Sequence, residues 1–254
     1  MRSVWGILFI GFASYTVSES SVAFGDEQRG DPADAVSQPI VISDLPSPPA
    51  AIASLIERGN VRFIYGPRPD SMQSPWQEDS RLARLRRGRR LAATTEYRLE
   101  YHFRSRNQWE FEDRGEDVRD LRISVWFTEV RIEREHTVWF RQCPEFESFW
   151  TNRLVLHELD HVQISVDPGL EQRFRERLHS PTTIKRQFKR NETVDEAVVH
   201  RIVEAHVAEM FTPISDLVKI RYQELDRVTK HGQLPVPHDS PISKLLTEAV
   251  QTDD

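Results

Sequence analysis

His157-Glu158-Leu159-Asp160-His161 sets two imidazoles four residues apart, with a carboxyl beside the first. On a helix, residues four apart share a face, so both rings can reach one metal ion. Glu158 is then placed to polarise a metal-activated water and take its proton. Zinc lowers the pKa of such a water to about 7, which makes hydroxide available at neutral pH. The chemistry implied is metal-assisted hydrolysis. Leu159 is uncharged, as the middle positions of such helices usually are, and Asp160 departs from that pattern. Four residues after Leu156, Asp160 is expected to point away from the metal face, as a solvated charge or a hydrogen-bond partner.

A catalytic zinc site needs a third protein ligand and an open position. Spacing offers three solutions. Asp167 lies six residues after His161, just before a Pro-Gly turn. Glu192, Glu196 and Glu204 fall on a following helical stretch. His231 precedes Gly232, which would end the last helix and leave the imidazole on a turn.

The run Trp150, His157-Glu158-x-x-His161-Val162, followed by Tyr222, Asp226-x-x-Thr229-x-His231-Gly232, resembles a family of bacterial exported proteins. That family is described as predicted secreted zinc-dependent proteases with a domain of unknown function. The resemblance covers roughly residues 57–235. It implies a strand-rich N-terminal half, a zincin-like HExxH helix and a closing turn. It also implies that Asp226, Thr229 and His231 stand near the metal, with His231 as third ligand and Asp226 as an orienting group.

The elements that would position these residues are legible as two patterns. Val61, Phe63 and Tyr65 alternate with differently facing neighbours; so do Tyr97, Leu99, Tyr101 and Phe103, and Leu121, Ile123, Val125 and Phe127. Val138 and Phe140 mark a last strand. This reads as an N-terminal antiparallel sheet with one wet face. After Pro144 the period becomes that of a helix: Phe146, Phe149, Trp150, Leu154, His157, His161 and Ile164. Asp167-Pro168-Gly169 ends that helix, and a short one follows around Leu170 to Leu178. Another is expected from about Thr183 to Phe211, and a last one from Pro213 to the residue before Gly232. The class is α+β, an antiparallel sheet followed by a helical half carrying the HExxH helix.

Met1-Arg2-Ser3 followed by the apolar run from Val4 to Ala13 reads as a cleavable export signal over residues 1–25, cut after Gly25. The expected location is secreted or periplasmic, with no stable membrane insertion after cleavage. Residues 26–50, rich in Pro, Asp and Ser, read as a flexible linker; residues 51–235 are the folded domain and 236–254 a loosely held tail. The chain has 254 residues, and 34 Lys and Arg against 40 Asp and Glu give a net charge of −6. That balance argues against a nucleic-acid partner. Cys143 is the single cysteine, so no internal disulfide exists. Six arginines in residues 81–90 are expected to form a solvated loop or helix face, or to meet an acidic partner. No GxSxG occurs. The expectation is a zinc metallopeptidase acting on a peptide, protein or cell-wall substrate. The alternative is a non-catalytic exported binding module with a structural or degenerate zinc site.

Overall fold

The computed structural model of the chain describes residues 4–18, 36–69, 92–179 and 181–251. The expected signal cleavage site, the first part of the linker, the Arg-rich segment 81–90 and the last three residues lie outside these. The apolar run from Val4 to Ala13 falls within a strand, β1 (Val4–Ser18). Among the described residues no helix is long and apolar enough to cross a membrane.

The alternating segments form the two longest strands, β4 (Ala93–Asp113) and β5 (Val118–Phe140). Tyr97, Leu99, Tyr101 and Phe103 on β4 and Leu121, Ile123 and Val125 on β5 are buried, while Arg98, Arg104 and Arg122 between them are exposed. Two short strands precede them, β2 (Gln38–Ile40) and β3 (Val61–Tyr65), separated by helix α1 (Ala50–Gly59). The strand order is β1-β4-β5-β3-β2, with a sixth strand, β6 (Thr182–Lys189), also paired to β5.

The sheet is mixed rather than antiparallel. β2 and β6 run antiparallel to their neighbours, but β3 lies parallel to β5, with Val61 opposite His136 and Tyr65 opposite Phe140. Residues 66–92 separate β3 from the β4–β5 hairpin, long enough for the crossover that parallel pairing needs. The folded chain also starts earlier than expected: Ile40 and Leu45, inside the segment read as linker, are buried.

The helices are α2 (Arg153–Ser165), α3 (Pro168–Arg177), α4 (Glu196–Thr229) and α5 (Pro241–Gln251). Two differ from the sequence expectation. Residues from Thr183 to Lys189 are strand, because Thr182, Ile184 and Phe188 alternate inward along β5. The two helices expected on either side of Pro213 are one. The buried positions Val199, Val203, Val207, Phe211, Ile214, Val218, Tyr222 and Leu225 continue without a break across the proline. Burying such a stripe outweighs the cost of about 3 kcal/mol that an interior proline imposes. The tail is not loose: α5 buries Ile242 and packs on α2.

The chain divides into two compact units. One comprises residues 1–15, 99–133 and 168–216, and its core contains the mutually packed rings of Tyr101, Phe174 and Phe211. The other comprises residues 16–98, 134–167 and 217–254. Its core gathers Phe63, Phe140, Phe149 and Trp150 with Val155, Leu159 and Val162 of α2. Every residue of the centre described next belongs to this second unit.

Candidate metal centre

Asn152 starts α2: its side chain accepts from the amides of Leu154 and Val155. Trp150 anchors the entry, its indole N–H donating to the Pro46 carbonyl at 2.5 Å. With Val155, Leu159 and Val162 committed to the apolar core, helical geometry turns His157, Glu158 and His161 to another buried face.

What meets them there is Asp226, in the last full turn of α4. His157 Nε2 and His161 Nε2 each lie 3.2 Å from Asp226 Oδ1. All three residues are buried, and their ligand atoms lie within 4.8 Å of one another. Two donors bound at about 2.0–2.1 Å to one tetrahedral zinc stand about 3.3 Å apart. The nitrogen–oxygen separations match that figure, and the donor set is one that zinc accepts. Burial by itself would raise the Asp226 pKa, but His161 and the hydrogen bonds from His157, His161 and His231 outweigh it and hold the carboxyl far below its usual range.

The structure thus brings Asp226, rather than His231, to the two imidazoles. His231 Nδ1 lies 3.5 Å from Asp226 Oδ2, on the outer side of the same carboxylate, with its side chain 35% exposed. The cause is the way α4 ends. The Thr229 hydroxyl donates to the Leu225 carbonyl and accepts from the Gly232 amide, and the His231 amide donates to the Asp226 carbonyl. Lys230, His231 and Gly232 then have positive φ, which ends the helix. Thr229 therefore closes the turn rather than touching the ligand atoms. Gly232 is needed for space as well: a Cβ there would lie 2.8 Å from His157 Cγ and 2.9 Å from Cδ2.

Glu158 is fully buried. Thr95 on β4 donates from Oγ1 to Glu158 Oε2 at 2.7 Å, and Oε1 has no hydrogen-bond partner. Burial pushes the carboxyl up to about 7, against the opposing pull of His157 and Thr95. Asp160 is half-buried rather than solvated, and burial raises its carboxyl to about 6.

Asp167, Glu192 and Glu204 are engaged elsewhere. Arg221 Nη1 donates to Asp167 Oδ2 at 2.7 Å. Glu192 accepts from the Lys189 amide, Glu204 pairs with His200, and Glu196 is exposed. Three contributors carried no sequence signal. Thr95 sits on a strand 63 residues before Glu158, and His136 and Ser165 occupy no motif. A second set, Glu100, His102 and Glu133, also converges within 4.8 Å among the described residues. Its Glu133 is half-exposed and already paired to Arg131.

No protein family, no curated protein and no solved structure matches the chain.

Proposed function

We propose that the chain is an exported zinc hydrolase that cleaves peptide or related amide bonds through a zincin-like helix. The observation that carries this reading is the convergence of His157, His161 and Asp226 beside the buried carboxyl of Glu158. Those three residues would hold the ion by Nε2, Nε2 and Oδ1. Zinc supplies a Lewis acid that lowers the pKa of a water to about 7 and polarises a scissile carbonyl. Glu158 then accepts the water's proton on Oε1, the oxygen left without a partner, and passes it to the leaving amine. Thr95 fixes the other oxygen and so aims the base. His231, half-exposed beside Asp226, stands where the centre meets solvent. The N-terminal basic start and apolar run support export.

A second reading is favoured by one observation. Glu158 has no exposed surface and its Oε2 is engaged by Thr95, as in a closed structural zinc site. Metal content and turnover of the mature chain decide between them. Under the first reading wild type carries about one zinc; His161→Ala and Asp226→Ala lose it; His231→Ala and His102→Ala keep it. Glu158→Gln keeps zinc and loses peptide hydrolysis by about a hundredfold or more. Zinc retained with no turnover in any peptide or cell-wall preparation supports the structural reading. A wild type that takes up no zinc removes both.

A further inference from the structure

A chain of buried hydrogen bonds runs through the same unit to Tyr222, whose ring packs against one of the proposed ligand rings. His136 on β5 contacts the Gly59 carbonyl through Nδ1 and the Ser165 hydroxyl through Nε2, both at 2.5 Å. A carbonyl only accepts, so Nδ1 carries the proton. Burial lowers the His136 pKa to about 4, so the ring is neutral at pH 7 and Nε2 is an acceptor. Ser165 therefore spends its one proton on Nε2, although the carbonyls of Val162 and His161 lie 2.9 and 3.3 Å from its Oγ. Its Oγ is left to accept from the Tyr222 phenol at 3.1 Å. With Nδ1 donating to Gly59, the arrangement that gives both Nε2 and the Tyr222 hydroxyl a partner runs Tyr222 to Ser165 to His136 to Gly59.

Tyr222 is fully buried, and its ring packs 4.4 Å from that of His161 and 4.8 Å from that of Tyr97. It stands four residues before Asp226 on α4, so one helix face presents an aromatic plane to His161 and a carboxylate to its Nε2. The ring of His161 is thereby held from two directions. We propose that Tyr222, Ser165 and His136 are positioning residues that set the plane of the His161 imidazole and with it the metal affinity of the centre. This rests on the reading of His157, His161 and Asp226 as ligands.

Residues that orient a ligand typically change metal affinity by about 10–100-fold when altered. The mature chain is titrated with zinc against a chromophoric chelator, and its cobalt form is examined by visible absorption. Tyr222→Phe keeps the ring and deletes only the hydroxyl; Ser165→Ala breaks the next link. Each is expected to weaken zinc binding about tenfold and to shift the cobalt bands. Because both cut one chain, the double variant should bind no worse than the weaker single. Should Tyr222→Phe not fold, Ser165→Ala carries the test alone. Wild-type zinc affinity and cobalt bands in folded variants, even with lowered stability in chelator, mark ordinary packing and overturn the inference while leaving the ligands standing. Additive losses also overturn it. A wild type that binds no zinc overturns the ligand reading and this inference together.

Discussion

At the residue scale the centre turns on Asp226. One carboxylate oxygen faces two imidazole nitrogens, and the other faces His231. Without metal, Asp226 accepts from both Nε2 atoms, so deleting it removes a hydrogen bond from each of two buried imidazoles. Asp226→Ala is expected to destabilise the metal-free chain by about 2–4 kcal/mol, and Asp226→Asn by less, read from urea midpoints in chelator. Equal midpoints for wild type and Asp226→Ala would show that the carboxylate does not hold the imidazoles. The HExxH pair was legible because four-residue spacing on a helix has only one geometric meaning. The carboxylate that meets the pair was not. Sequence places Asp226 and His231 in the same short motif, and only the fold shows that Asp226 meets both imidazoles while His231 meets the other oxygen of that carboxylate.

At the element scale, the closing turn of α4 is a shaped part of the centre. Gly232 has a φ of +77° and lies against the His157 ring. Gly232→Ala puts a methyl into that ring in a conformation side chains avoid, and is expected to cost about 1–3 kcal/mol and to weaken zinc binding. Zinc affinity and stability equal to wild type would mean that the turn does not press on the ligand. The strands of the hairpin and helices α2 and α3 were readable because their periods are regular over many residues. β6 was not: its inward side chains are few, and its identity depends on having β5 to pair with. The continuity of α4 was hidden for the opposite reason. Pro213 is a strong local signal for a boundary, and a buried stripe spanning both sides overrides it.

At the scale of the whole molecule, three buried groups oppose one another in pH. Glu158 is raised from 4.5 to about 7 and Asp160 from 3.8 to about 6, so the stability they contribute is full at low pH and lost as pH rises to those values. His136 is lowered from 6.5 to about 4, so its contribution is full above 6.5 and lost as pH falls. Two carboxyls outweigh one imidazole. In chelator, wild type is expected to be less stable at pH 7 than at pH 5, by roughly 1–2 kcal/mol. Glu158→Gln should flatten or reverse that difference. Urea midpoints at the two pH values check it; a variant with the wild-type slope would show that Glu158 does not titrate in this window. None of this was visible in the net charge, because it depends on which few of the ionisable groups are enclosed.

The 34 residues of α4 have one more effect. A helix concentrates about half a negative elementary charge at its C-terminal end, from the aligned dipoles of its peptide units. Asp226 lies in that last turn, so its carboxylate adds to a field that is already negative. His161 and the hydrogen bonds from His157, His161 and His231 answer that field and hold the carboxyl far below its usual range. A doubly positive ion seated between the three residues would oppose the same field. On the proposed reading, the rod that carries Asp226 would itself favour a divalent cation at its end.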